Sequence, residues 1–341
     1  MDMQVIISQM AELFILIAIG YIAAKIKMLT PDGVKTLSKV VLNISTPSTI
    51  LYSVLSDTSG ISGSKTMYFT LLAVCAHALF FLVAIPTSRA LSAGERRTQL
   101  RKPASPIDIS APSAPTAQQS TTDSEGAPTT RTSNRGLYAS MIVFGNVGFM
   151  GYPVVNAIFG PESAFYAALF IVVFNLLIYS IGIIMISGNG GKVRLKVLFN
   201  ATFIASVISF IIVFTNFRAP AVITETARLA GGINTPCAML VIGATLAQIS
   251  VKDVLAKLQL YPITILKMMV LPILSWLIFK QFVSDSLMLG LLVVLSGMPI
   301  AAAVAMISIE YGGDERIASG GVFMTTLLSA VTIPLIVYLL I

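Results

Sequence analysis

Ten long apolar runs dominate the chain and limit what it can fold into. They lie at residues 5–24, 36–56, 66–88, 137–159, 163–187, 196–216, 226–249, 258–280, 286–309 and 316–340. Each is close to the ~20 residues that a helix needs to cross the hydrocarbon core of a bilayer. Only 11% of the residues are charged, against roughly 25% in soluble domains, which excludes a soluble globular enzyme. The sequence therefore predicts an all-α polytopic membrane protein with ten transmembrane helices, numbered here as spans 1 to 10.

Lysine and arginine are concentrated in alternate loops between these spans. Seventeen lie on the side that includes the loop 89–135, and four lie on the other side. Cytoplasmic loops of membrane proteins carry the excess of basic residues. We therefore predict a multi-pass protein of the plasma membrane with both termini non-cytoplasmic.

The segment 89–135 differs in composition from the rest of the chain. A basic stretch is followed by residues rich in Pro, Ser, Thr and Ala, which cannot bury enough apolar surface to offset the entropy of ordering. This composition predicts a disordered cytoplasmic linker, either a tolerated insertion or a regulatory segment. The predicted units are 1–88 with spans 1–3, the linker 89–135, 136–190 with spans 4–5, and 191–341 with spans 6–10.

The two halves of the chain resemble each other. The sequence N-I-S-T-P-S-T-I-L at 43–51 matches G-I-N-T-P-C-A-M-L at 232–240, and F-G-P-E-S-A at 159–164 matches Y-G-G-D-E-R at 311–316. The separation in sequence between the first two matching segments is larger than that between the second two. The difference is about the number of residues by which the linker 89–135 is longer than the corresponding loop of the second half. Because each half has five spans, an odd number, the halves form two inverted five-helix repeats. Inverted repeats are typical of secondary transporters, whose sites lie where discontinuous helices meet.

Glycine and proline interrupt spans 4 and 9 at corresponding places. Span 4 reads F-G-N-V-G-F-M-G-Y-P at 144–153 and span 9 reads S-G-M-P at 296–299. Such residues weaken the helical hydrogen-bond ladder, and the freed backbone groups are expected to line a cavity in the protein. Half-helices that begin there would direct positive dipole ends at an anion. The alternative is that these residues are kinks or close-packing glycines in continuous helices.

Thr-Pro pairs interrupt spans 2 and 7 in the same way. Their hydroxyls either face the same cavity or satisfy backbone freed by the adjacent proline, and the sequence leaves both readings open. The candidate substrate-binding residues are Asn43, Thr46, Pro47, Asn146, Gly148, Gly151, Tyr152, Pro153, Asn156, Thr235, Pro236, Gly297 and Pro299.

Few ionisable residues fall inside the spans. Glu12 in span 1 could bind a coupling proton or cation, or could be solvated near the interface. His77 in span 3 could relay protons or be a hydrogen-bonded packing residue. Lys267 lies nine residues into span 8 and is expected to extend its side chain to the membrane surface. The coupling ion, proton or sodium, is left open.

Motifs for several other functions are missing from the sequence. It has no G-x-x-x-x-G-K-[ST] phosphate-binding loop, no H-E-x-x-H and no closely spaced Cys and His ligands. Its aspartates fall outside the spans, which argues against an intramembrane aspartate protease. We expect no enzymatic activity, no cofactor, no metal and no nucleic-acid partner.

The interrupted span 4, the F-G-P-E-S-A that follows it and the last helix, Y-G-G-D-E-R-I-A-S-G-G-V-F-M-T-T-L-L-S-A-V-T-I-P-L, resemble the auxin efflux carrier superfamily. The resemblance covers the chain outside 89–135. It implies two inverted repeats, a scaffold and a transport domain, and broken helices 4 and 9 that cross each other. It also implies elevator-type export or exchange of organic anions, with Asn146, Pro153 and Pro299 at the crossover and Thr46-Pro47 beside it. Span 9 departs from the pattern of the family, since Met298 precedes its proline and no asparagine lies nearby.

The sequence thus favours a secondary active transporter of small organic anions, such as dicarboxylates or auxin-like carboxylates, by efflux or exchange. The alternative is a membrane sensor of the same fold that binds a lipid or metabolite without moving it; an anion channel is a third option. Deletion of the linker would distinguish transporter from sensor. The sequence leaves open whether two chains form a homodimer.

Overall fold

The computed structural model describes residues 3–55, 63–101, 134–160, 162–187, 201–215 and 217–341. The secondary structure of these residues is helical. The helices are α1 (Met3–Lys25), α2 (31–55), α3 (Gly63–Arg101), α4 (Arg135–Val143), α5 (Val147–Phe159), α6 (Glu162–Ser187), α7 (Ala201–Thr215), α8 (Ala221–Leu246), α9 (Val251–Leu255), α10 (Leu260–Phe279), α11 (Ser286–Ser296), α12 (Ala302–Tyr311) and α13 (Glu315–Leu340). Helical residues lie within every predicted span, and spans 4 and 9 are each divided into two helices.

Five of the helices are long and apolar enough to cross a membrane. They are α3 (over Gly63–Gly94), α6, α8, α10 and α13, with mean hydropathies from 1.5 to 2.7. A helix of this length can cross the bilayer, and it satisfies its backbone N–H and C=O groups by hydrogen bonds within the helix, as the bilayer interior requires. The protein is therefore a multi-pass, all-helical membrane protein in the part that the structure describes.

The start of the predicted linker is helical. α3 continues to Arg101, past the predicted end of span 3 at residue 88, because Ala, Leu, Glu, Gln and Arg dominate this stretch and all favour helix. The rest of the predicted linker, up to residue 133, lies outside the described residues.

The helices pack in two groups. In the first, α1 lies along α8, and α2 packs against α7 and α8. In the second, α3 packs against α4 and α6, α10 packs against α11, and α12 packs against α13. Both interrupted helices belong to the second group.

In the part of the chain that the structure describes, four of the helices contain a π-helical turn. These turns lie at Val41–Ser45 in α2, Val147–Gly151 in α5, Ile178–Gly182 in α6 and Leu266–Val270 in α10. A π turn inserts one extra residue and changes which side chains share a helix face, and such turns are frequent at functional sites. The turn at Val147–Gly151 follows the interruption of span 4, and the turn at Leu266–Val270 contains Lys267.

Candidate binding site at the crossing of two interrupted helices

The interruptions of spans 4 and 9 cross each other. α4 ends at Val143 and α5 begins at Val147, while α11 ends at Ser296 and α12 begins at Ala302. Between these ends, Gly145 pairs with Ile300 as two short extended segments running in opposite directions. The glycines and prolines therefore mark true breaks, and the reading as simple kinks in continuous helices is wrong.

Backbone hydrogen bonds hold the crossing together. The Asn146 N–H donates to the Pro299 carbonyl oxygen at 2.6 Å, and the Ala301 N–H donates to the Phe144 carbonyl oxygen at 3.0 Å. All four residues are buried. Each break thus satisfies backbone groups that the other break leaves free, which burial away from water demands.

A third helix completes this hydrogen-bond pattern. The Thr325 hydroxyl on α13 accepts from the Ile300 N–H at 3.0 Å and donates to the Gly321 carbonyl oxygen at 2.7 Å. Thr325 is fully buried. It ties the extended segment of span 9 to the last helix, and sequence analysis did not identify it.

Lys267 lies beside the crossing and is fully buried. Its Nζ is 3.2 Å from the position that a Cβ on Gly145 would occupy and 5.3 Å from the centroid of the Phe80 ring. Nζ has no hydrogen-bond partner among the described residues. The prediction that this side chain extends to the membrane surface is wrong, because a π turn of α10 carries it and Gly145 and Phe80 enclose its end.

His77 on α3 also contacts Phe80. Its Nδ1–H donates to the Ala73 carbonyl oxygen at 2.8 Å, and its ring packs 4.7 Å from Phe170 and 5.5 Å from Phe80 between centroids. It is buried. These contacts favour the packing interpretation, and a proton-relay role stays a prediction.

Several of the predicted site residues meet at the crossing. Asn146 directly precedes α5, and its side chain, 5% exposed, makes no capping hydrogen bond. Gly151 packs against Leu295 and Met298 of span 9, whereas a Cβ on Gly148 would meet no atom within 4 Å. Gly297 and Pro299, both buried, form part of the second interruption.

Other predicted residues of span 4 lie further along α5. Tyr152 and Pro153 are buried and follow the π turn, and Asn156 is half-buried. The break lies at 144–146, so Pro153 does not cause it, which corrects the placement of this proline at the crossover. Substitution of Pro153 would therefore leave the break intact.

The Thr-Pro segments contact each other, between α2 and α8. The Thr46 hydroxyl donates to Asn234 Oδ1 at 2.9 Å, and the Ser45 hydroxyl donates to the Ala230 carbonyl oxygen at 2.9 Å. The Thr46 hydroxyl thus donates its hydrogen bond to the facing Thr-Pro segment, and not to its own backbone or into a cavity. Pro47 is buried beside it, and Thr235 and Pro236 are half-buried.

Two further candidates are exposed. The Asn43 side chain donates to the Lys39 carbonyl oxygen of its own helix at 2.9 Å. Glu12 is exposed on α1. The structure does not bring either of them to the crossing, and their roles in substrate or ion binding stay predictions.

Sequence analysis missed Gly145, Lys267 and Thr325. The signal for Lys267 was present, because an ionisable residue inside an apolar span indicates function by default. Gly145 was hidden among the other glycines of span 4, and nothing in the sequence distinguished Thr325 from its neighbours. No group of three or more His, Cys, Asp or Glu residues lies close enough to hold a metal within the described ranges.

Comparison with known proteins decides the family. The sequence matches the family model described as membrane transport protein over residues 5–98, 129–197 and 190–337. The chain belongs to this family. The resemblance to the auxin efflux carrier superfamily is thereby confirmed.

Two relatives illustrate the range of this family. An uncharacterized transporter from Methanothermobacter thermautotrophicus is 25% identical over 328 residues, which cover 95% of each chain. A protein provisionally named a malonate transporter, from Rhizobium meliloti, is 24% identical over 208 residues, which cover 58% of this chain and 64% of the relative. Both names assign transport.

Proposed function

We propose that this protein is a secondary active transporter that moves small organic anions, by efflux or exchange, through the crossing of its two interrupted helices. The observation that carries the proposal is the reciprocal pairing of Asn146 with Pro299 and of Phe144 with Ala301. Extended backbone at membrane depth is tolerated only inside protein or beside a cavity, and in transporters it marks the substrate site. Membership of a transporter family supports the same function.

The helix ends at the crossing favour an anionic substrate. α5 begins at Val147 and α12 at Ala302, each directly after its extended segment. The first turn of a helix has free N–H groups and a positive dipole end, which attract anions. Two such ends meet at one place and therefore favour a carboxylate. The name of the Rhizobium relative supports a small dicarboxylate such as malonate.

The two helix groups suggest how the site changes sides. We assign α1, α2, α7 and α8 to a scaffold and the group with both interrupted helices to a moving domain, as elevator-type alternating access requires. The ten spans would form two inverted repeats, made of 1–88 with 136–190 and of 191–341, with 89–135 as a cytoplasmic linker and both termini non-cytoplasmic. A proton or sodium gradient would drive the cycle in the plasma membrane.

The test of this proposal is counterflow in proteoliposomes. Radiolabelled malonate, malate, succinate and indole-3-acetate would be presented to purified protein with and without proton, sodium and potential gradients. We expect saturable counterflow of at least one acid and a response to one gradient. Single-channel currents without saturation would indicate a channel instead, and binding without any flux would indicate a sensor. Deletion of the linker should leave transport intact but would abolish signalling by a sensor.

Asn146→Ala should weaken binding of the transported acid roughly 2- to 10-fold, the usual worth of one neutral hydrogen bond. The amide is uncapped, so the variant should fold with the melting temperature of the wild type. The measurement is the half-saturation concentration in counterflow.

Gln281→Ala is the matched control, because that exposed amide bonds only to the Leu277 carbonyl of its own helix end. Unchanged affinity in Asn146→Ala would remove this residue from the site.

A further inference from the structure

The buried amine of Lys267 has no counter-charge in the described structure. Its Nζ makes no hydrogen bond there, and the described ion pairs all join other residues at the protein surface. Lys267 is also the only Lys, Arg, Asp or Glu whose side chain is buried in the described part of the chain. A protonated amine buried without an anion is strongly unfavourable, so a lysine at such a place needs a function that explains it.

The surroundings of Lys267 point to a ligand and not to a structural ion pair. Nζ abuts Gly145, the residue of span 4 that forms the antiparallel pair, and the absence of a side chain there lets the amine lie against the crossing. Nζ also lies over the Phe80 ring, at a distance where an aromatic ring attracts a cation but does not neutralise it. The amine thus keeps its hydrogen-bonding capacity for a group that comes to the crossing.

We propose that Lys267 binds a carboxylate of the substrate at the crossing and so makes the site select anions. This inference rests on the proposed function, and it names Lys267 as the residue that makes the transport site select anions. The ligand class is a small mono- or dicarboxylate, one of whose carboxylates accepts hydrogen bonds from Nζ. The uncapped Asn146 amide and the first turns of α5 and α12 lie at the same crossing and would hold the rest of the molecule.

The variant that tests this is Lys267→Met, which keeps the unbranched apolar stem of the side chain and removes its charged amine. Binding of malonate, malate, succinate and indole-3-acetate to purified protein would be measured by calorimetry, together with malonamide, the neutral diamide of malonic acid. We expect Lys267→Met to weaken binding of the preferred acid roughly 10- to 100-fold, the worth of a charge-assisted hydrogen bond. Weak binding of malonamide should change little, so the preference for the acid over the neutral analogue should collapse.

Lys280→Met is the matched control. This lysine is at the end of the same helix, exposed, with Nζ 3.6 Å from the centroid of the Trp276 ring. Its loss should leave both the affinity and the preference for acids unchanged. Because removal of an unpaired buried charge does not destabilise a protein, the melting temperature of ligand-free Lys267→Met should equal or exceed that of the wild type.

The outcomes separate this inference from the proposed function. Wild-type affinity for the acid in Lys267→Met overturns the inference and leaves transport intact. Equal losses for malonate and malonamide, or failure of both Lys267→Met and Lys267→Gln to fold, assign the lysine a structural role and also overturn it. Acid binding that depends on Lys267 in a protein without counterflow overturns transport and keeps the inference. Binding of none of the four acids by the wild type overturns both.

Discussion

Gly145→Val is expected to abolish counterflow in a protein that still folds. A Cβ at this position would lie 3.2 Å from Lys267 Nζ and 3.3 Å from both the Cβ and the carbonyl oxygen of Met298. Valine adds two further methyl groups, so the two extended segments must move apart. The hydrogen bonds from Asn146 to Pro299 and from Ala301 to Phe144 would then lengthen or break. Each buried backbone group left unpaired costs about 1–3 kcal/mol, which the crossing cannot offset.

We expect the rate of counterflow in Gly145→Val to fall by more than roughly 100-fold, because the loss of two hydrogen bonds leaves four buried backbone groups unpaired and alters the site by several kcal/mol. The measurement is the initial rate in proteoliposomes at matched protein density. Gly232→Val on α8, outside the crossing, is the control, since its Cβ would meet no atom within 4 Å. A wild-type rate in Gly145→Val would show that transport does not depend on the geometry of the crossing.

Gly243→Ala is expected to destabilise the whole protein. A Cβ on Gly243 would overlap the Ile17 carbonyl oxygen and lie 2.7 Å from the Tyr21 nitrogen. On the facing helix, a Cβ on Gly20 would overlap the Leu240 carbonyl oxygen. The backbones of α1 and α8 thus touch at reciprocal glycines, and an added methyl forces the helices apart along their length.

We expect Gly243→Ala to reduce the free energy of unfolding by about 3 kcal/mol, the upper end of the usual penalty for overpacking. Thermal unfolding of the purified protein in detergent measures this. Gly232→Ala on the same helix is the matched control, because its Cβ would meet no atom within 4 Å. Equal melting temperatures for the two variants would contradict the close approach of α1 and α8.

The helical architecture was predictable because the bilayer restricts what an apolar run can do. A run of about 20 apolar residues has to satisfy its own backbone, so length and composition locate the helices within a few residues. The two breaks were predictable because the Gly and Pro residues at 144–153 and 296–299 weaken the helical hydrogen-bond ladder. The end of α3 was placed too early, because a helix can continue into water where its residues favour it.

The contacts between distant segments were not predictable. The sequence contains matching Thr-Pro motifs at 43–51 and 232–240, but not the hydrogen bond from Thr46 to Asn234. It contains a lysine within an apolar run, and extension of such a long side chain to the membrane surface is the ordinary outcome. Whether that side chain reaches water depends on a π turn in its own helix and on what encloses its end.

The sequence by itself determined that this is a multi-pass helical membrane protein of a transporter family, and where two of its helices are interrupted. Those properties follow from local composition and from sequence motifs, which can be recognised without knowledge of the packing. Only the tertiary structure decided that the interruptions pair through Gly145 and Ile300, and that Lys267 lies buried beside them. The physical reason is that hydrogen bonding within a helix is local in sequence. The surroundings of a buried charge are instead set by residues far apart in the chain, here on α3, α10 and the break of span 4.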